Sequence, residues 1–256
     1  MELGNYNAAI DTYNKLLEIK KEPDSYINLA VCYAKNGDSE KAMSTLENID
    51  KRNDVRLYVE GEIHFKEENL TAAESKFKNV ISITKDESLK RNAYVEAAQI
   101  YKHRRHQDTT NYYYLNSQIE IMEEAVRELK AEDDLELTEM MAEAYFTAKK
   151  YDLSVQKFNR LLELGYSRPY IYRNIAIIHQ QTGNLESAET VLLQMKEKYP
   201  DDYSCYMQLS FVYIEMENKK AESLRDYTKA YNNYKLGKEY ADSKNENELI
   251  QLEKTI

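Results

Sequence analysis

The chain contains no tryptophan, and its 256 residues include only 3 prolines, 6 glycines and 2 cysteines. With so few prolines and glycines there is almost nothing to break helices. No apolar run approaches the ~20 residues needed to span a bilayer, and the N-terminus lacks the basic-then-apolar pattern of a secretory leader. Positive charge is outweighed, giving a formal net charge of −10. An anionic body repels phosphate backbones and acidic lipid, which argues against nucleic acid or a membrane surface as the main partner. What the chain does have is charge (31%), hydrophobic residues (42%) and 23 tyrosines, a mixture that suits a soluble helical array with half-polar faces. Tyrosine is expected to fill the large packing positions that tryptophan would otherwise take, with its hydroxyl reaching the helix edge.

The chain repeats itself about every 34 residues. A bulky residue, an apolar one, a small one and an aromatic one recur at relative positions 4, 7, 8 and 11, as in Tyr26, Leu29, Ala30, Tyr33 and in Tyr94, Ala97, Ala98, Tyr101. The same order recurs in Thr138, Met141, Ala142, Tyr145, in Tyr172, Ile175, Ala176, His179 and in Tyr206, Leu209, Ser210, Tyr213. A polar turn follows, then a second segment with a small residue and a bulky one four later: Ala42/Leu46, Ala73/Phe77, Ser154/Phe158, Ala188/Leu192. A fixed period of this length predicts stacked two-helix units, each buried only against its neighbours. Small residues belong where two helices cross closest, because a larger side chain would push the axes apart.

The predicted array covers 1–241, with helix pairs at 24–50, 54–84, 88–131, 135–164, 169–198 and 203 onward. Ahead of them, Gly4-Asn5-Tyr6 reads as an inter-helix turn and 6–20 as a second helix, so the first repeat lacks its first helix and the chain is expected to be part of a longer protein. Gly37 and Gly183 fit tight turns needing positive φ. At the corresponding Glu67-Glu68-Asn69 turn, asparagine's tolerance of left-handed geometry is expected to serve. The unit at about 88–131 is enlarged: Ala98 to Ala142 spans 44 residues, implying lengthened helices or a larger turn. Leu224–Ala241 carries Leu224, Tyr227, Tyr231, Tyr234 and Ala241 at helical spacing and is expected to close the array. A polar break and a weakly amphipathic tail occupy 242–256. Cys32 and Cys205 fall five units apart, too far for a disulfide, and a reducing, cytoplasmic setting fits.

These residues resemble the tetratricopeptide repeat family of 34-residue helix-turn-helix units. Leu29, Ala30, Tyr33, Gly37, Asp38 and Ala42 match most of one repeat, and Leu185, Ala188, Leu192 and Pro200 the second half of another. The resemblance implies an all-α fold, a right-handed superhelical solenoid of antiparallel helix pairs, and a non-catalytic scaffold that binds protein or peptide on a concave face. That face would be lined by first helices at relative positions 2, 5, 9, 12 and 13. The candidate partner-binding residues are therefore Tyr58, Glu62, Phe65, Gln99, Lys102, Glu139, Glu143, Phe146, Arg173, Ile177 and Gln180. Ile27, Val31, Val95, His103, Glu136, Tyr170 and Gln181 extend it, and Met207, Phe211 and Ile214 are expected to be covered by the terminal helix. The two-carboxylate clamp of some family members needs Lys and Asn at set positions; Arg173-Asn174 comes nearest, but Ile177 stands where the clamp needs Asn.

Lys102, Arg104 and Arg105 form a candidate anion or phospho-group patch, against the alternative of a solvated helix end. Glu136, Glu139 and Glu143 form an acidic stripe that could meet a basic peptide or simply line a solvated face. Tyr112–Tyr114 read as packing residues of the enlarged unit, and His64 and His179 as packed aromatics. No metal set, cofactor loop or catalytic constellation emerges: there is no phosphate-cradling Gly-rich loop, no HExxH and no Gly-x-Ser-x-Gly elbow. Two alternatives to a free-standing adapter stand beside it. One is the sensory or docking part of a larger signalling protein, fused to a protein kinase or a peptide-responsive DNA-binding regulator. The other is homo-oligomerisation through exposed ends.

Overall fold

The computed structural model describes residues 6–108 and 111–241. The Gly4-Asn5 turn, the Thr109-Thr110 pair and the 242–256 tail lie outside the described residues. Among the described residues all regular structure is helical. The chain divides into two compact units, residues 1–132 and 133–256.

In the first unit a lone helix α1 (Tyr6–Ile19) precedes three pairs: α2 (Pro23–Lys35) with α3 (Ser39–Leu46), α4 (Asp54–Lys66) with α5 (Leu70–Ile83), and α6 (Glu87–Gln107) with α7 (Tyr112–Leu129). The second unit holds α8 (Leu135–Thr147) with α9 (Tyr151–Glu163), α10 (Pro169–Gln181) with α11 (Leu185–Lys198), and α12 (Tyr203–Asn218) with α13 (Thr228–Tyr240). Short turns force the partners of each pair antiparallel, and within a unit each pair packs on the next. The extra length around 88–131 goes into the helices: α6 has 21 residues and α7 has 18.

The sequence spells out the helix starts. Asp38, Asn53, Asn69, Asp86, Asn111, Asp134 and Asp202 each accept a backbone N–H of the following first turn, satisfying donors that no helix can satisfy itself. The small residues sit where the period puts them: Ala30, Ala42, Ala73, Ala98, Ala142, Ser154, Ala176, Ala188 and Ser210 are fully buried. The two serines keep their hydroxyls paired at the crossings, Ser154 Oγ donating to the Ala142 carbonyl and Ser210 Oγ to that of Ala230, each at 2.8 Å.

Tyrosines reach out of the packing to neighbouring helices. The Tyr101 hydroxyl donates to Glu74 at 2.6 Å, Tyr213 to Glu189 at 2.7 Å, Tyr94 to Glu128 at 3.0 Å and Tyr206 to the Pro200 carbonyl at 2.6 Å. Each such ring fills a large core position and still satisfies its polar end.

Three local expectations are corrected. In the α4–α5 turn the left-handed residue is Glu68 (φ 59°), not Asn69, because Asn69 one position later is spent on capping α5 through the Ala72 N–H. The Leu224–Ala241 segment is not one helix. Glu222–Leu224 forms a 3-10 turn with Leu224 exposed, and α13 begins at Thr228. The break is fixed by side chains: Glu217 accepts the Asp226 N–H at 2.8 Å, and Asp226 accepts the Thr228 N–H at 2.9 Å. Tyr112 and Tyr113 stand exposed at the start of α7 instead of packing, while Tyr114 lies beneath the Arg104 guanidinium.

Candidate functional site

In the first unit the first helices α2, α4 and α6 lie side by side, and a cleft of about 260 Å³ opens among them. Val31, Ala34 and Lys35 come from α2, Val59, Glu62, Ile63, Phe65 and Lys66 from α4, and Glu96 from α6. The predicted face residues Val31, Glu62 and Phe65 are thus brought together. Tyr58 is half-buried and set edge-on to Phe77 at 5.4 Å, which turns its ring toward α5. Phe65 also meets His103 of α6 edge-on, with ring centroids 6.1 Å apart. Gln99 and Lys102 are half-buried on α6, outside the cleft lining. Val59, Ile63 and Glu96 were missed by position counting. Each follows a counted position by one residue, and that offset points into the gap between adjacent first helices.

The electrostatics of the cleft centre on Glu62. Burial pushes its carboxyl above the ordinary range, and Lys35 only partly opposes the effect. Lys66 is committed elsewhere, its Nζ donating to the Ala34 carbonyl at 2.7 Å.

The predicted anion patch is not an open cationic cradle. Arg104 is paired with Glu74 at 2.5 Å and lies over the Tyr114 ring, and Arg105 donates to Gln118 at 3.2 Å. The sequence could not show that Glu74, on the second helix of the preceding pair, supplies the counter-charge. Lys78, Tyr101 and Arg104 all donate to Glu74, and against the opposing effect of burial they hold its carboxyl down to about 2.

In the second unit the face of α8, α10 and α12 is cross-tied. The Tyr170 hydroxyl donates to Glu139, and the Gln180 amide donates to Glu215 at 3.5 Å. Burial and the Glu139 carboxylate push the Tyr170 phenol far up. Glu143, Phe146, Arg173 and Ile177 are half-buried on this face, while Glu136 and Gln181 are exposed. The acidic stripe is therefore not uniform: Glu139 is bound to α10, Glu143 is half-buried and Glu136 is exposed. Met207 and Ile214 are buried in the α12–α13 core, whereas Phe211 remains 38% exposed.

Among the described residues no group of three or more potential ligands gathers as a metal site, and no helix is long and apolar enough to cross a membrane. Cys32 and Cys205 are both buried. Burial, chiefly, raises the Cys205 thiol to about 12, and its Sγ donates to the Leu192 carbonyl at 3.1 Å.

Residues 1–59 and 139–203 each match a tetratricopeptide repeat family model. Among solved structures, the C-terminal part of a TPR repeat-containing protein from Cytophaga hutchinsonii superposes with a TM-score of 0.71 at 20% identity, over 96% of this chain and 95% of that one. YrrB, described as a TPR protein with an unusual peptide-binding site, gives 0.57 at 17% identity over 75% of this chain and 94% of its own. PilF of Pseudomonas aeruginosa gives 0.56 at 16% identity, over 85% and 100%. No curated protein matches the sequence. Identities this low carry the fold alone.

Proposed function

Because the chain is a tetratricopeptide repeat protein, we propose that it is a non-catalytic interaction scaffold that takes up protein or peptide along its first-helix faces. The observation that carries this reading is the composition of those faces. In each unit they present half-buried aromatic, aliphatic and charged side chains together, Val31, Glu62 and Phe65 in one and Phe146, Arg173 and Ile177 in the other. Such a mixture suits an extended or helical segment, which needs apolar anchors and a few polar groups to fix its register. On the second helices the large repeat residues Leu46, Phe77, Phe158 and Leu192 are fully buried, while Ile83, Leu153 and Leu193 are exposed singly. YrrB, a structural neighbour described as having a peptide-binding site, lends the reading further support.

The shifted thiol and phenols serve structure. The buried thiol of Cys205 is held protonated, and the shifted tyrosines Tyr94, Tyr101, Tyr170 and Tyr213 are raised by burial together with a hydrogen-bonded carboxylate. That is the signature of structural pairing, not of a group poised to exchange a proton near neutrality.

The test is selection of a displayed random-peptide library on the purified chain, followed by mapping of the bound peptide through backbone amide shifts. Perturbations should gather on α2, α4 and α6, or on α8, α10 and α12. A library that yields no binder, or binders that perturb only second helices, would overturn the proposal.

A further inference from the structure

The cleft among α2, α4 and α6 contains a half-buried carboxylate whose environment differs from that of Glu60 and Glu74. Glu60 is met by Arg56 and Lys76, and Glu74 by Lys78, Tyr101 and Arg104. Glu62, by contrast, receives no hydrogen bond and no ion pair from the described residues; Lys35 acts on it only through its field and is itself solvent-exposed. The walls beside it are formed by Val31, Ala34, Val59, Ile63 and Phe65; Lys35, Lys66 and a second carboxylate, Glu96, complete the lining, with the Lys66 ammonium held on the Ala34 carbonyl. A half-buried carboxylate with no donor, set beside apolar side chains, is complementary to a ligand group with an apolar stem and a cationic, donor-rich head.

We infer that this cleft receives the arginine side chain of a bound peptide or protein segment, its methylenes against Val31 and Ile63 and its guanidinium on Glu62. The inference rests on the reading of the first-helix face as the binding surface and specifies what one part of that face selects. Arginine fits better than lysine because its guanidinium is more weakly hydrated, offers five donors in a planar fork and can lie against an aromatic such as Phe65. A purely aliphatic side chain would fill the volume but bury Glu62 further without a donor, which lowers affinity. An anionic side chain placed on Glu62 would be repelled by it. The volume of about 260 Å³ suits one long side chain, so selectivity is expected at a single position of the partner.

The experiment uses the full chain and four blocked pentapeptides, acetyl-Ala-Leu-Xaa-Leu-Ala-amide, with Xaa as arginine, citrulline, norleucine or glutamate. Binding is followed by amide shifts up to millimolar peptide. The arginine peptide should bind about tenfold more tightly than its neutral citrulline isostere, the difference expected of a charge-assisted hydrogen bond in a partly buried site. Shifts should centre on Val31, Glu62 and Phe65. In Glu62→Gln, which keeps shape and removes charge, the preference for arginine over citrulline should vanish. Equal binding of arginine and citrulline peptides, a preference that survives Glu62→Gln, or no binding by any of the four would each overturn the inference. In those cases library-selected peptides that still map to first helices would leave the wider function standing, whereas their absence would remove both.

Discussion

Arg56 offers the sharpest test of how the first unit is held together. It lies in the first turn of α4, and its Nε pairs with Glu60 Oε1 at 2.7 Å while Nη1 donates back to the Ile49 carbonyl in the preceding loop. Glu60 Oε2 takes a second ion pair from Lys76 of α5 at 2.5 Å. The Arg56 and Glu60 side chains are only 9% and 4% exposed, while that of Lys76 is 30% exposed. Replacing Arg56 by methionine keeps most of the apolar stem but leaves Glu60 buried with one partner and frees the Ile49 carbonyl. Removing one member of a buried pair costs about 3–5 kcal/mol, and the remaining Lys76 places this variant near the lower end, at about 3 kcal/mol. Substituting Glu60→Leu as well removes the stranded charge. Lys76 can then turn to water, and the double variant should lie within about 1 kcal/mol of the parent.

Acid supplies an independent sign. In the parent, Lys76 and Arg56 overcome burial and hold Glu60 below its ordinary range. Its contribution is therefore present at neutral pH and lost as pH falls through the depressed folded value. In Arg56→Met burial should win and raise the carboxyl above its unfolded value, so the folded state takes up the proton more readily. The deficit of that variant should then shrink between about pH 7 and 5. Urea unfolding combined with amide exchange on α4 measures both effects. A double variant as unstable as the single one, or a deficit that grows on acidification, would refute the reasoning.

Other variants probe other parts of the design. Glu74 is lowered from an ordinary 4.5 to about 2, so its stabilisation should be complete above about pH 5 and disappear as pH approaches 2; Glu74→Gln should cost roughly 2 kcal/mol at neutral pH and flatten that acid limb. Glu68 and Lys149 adopt φ of 59° and 56°, the geometry that Gly37 and Gly183 occupy in the other turns. Changing either to Gly should raise stability by about 0.5–1 kcal/mol in thermal unfolding, whereas Gly37→Ala should lower it by a similar amount. Ala176→Leu or Ala188→Leu should cost several kcal/mol, roughly 1–3 or more, by prising apart crossing helices, and an unchanged melting temperature would count against the packing. Gly61→Ala should show the same strain locally, because a Cβ there would lie 2.8 Å from the Phe77 ring, and Phe77→Leu should relieve it.

The number, order and boundaries of the helix pairs were legible in the residues because the rules that set them are local. A small residue at a crossing, an aromatic three later and an Asp or Asn at the helix start act within a few positions, and repetition multiplies a weak signal. The departures arose where two local rules competed. Asn69 could serve as turn or as cap, and the cap prevailed. Leu224 and Tyr227 fit a helical spacing, but the Glu217–Asp226–Thr228 bonds stop the helix before it can use them. Tyr112 and Tyr113 looked like packing residues by composition, yet a lengthened α6 and α7 place them at an exposed helix start.

The candidate site divides along the same line. That Val31, Glu62 and Phe65 share a face follows from the helical period, which any reader of the sequence can count. That Glu74 neutralises Arg104, that Tyr170 ties down Glu139 and that Glu62 is left without a donor does not follow from it. Those facts depend on which side chains of neighbouring helices come within about 3 Å, the range over which a hydrogen bond forms. A periodic sequence determines the rods and the notches between them, because backbone hydrogen bonds and the size of a methyl group are short-range constraints. Which charges are consumed in joining the rods, and which remain for a partner, was decided only when the rods were stacked.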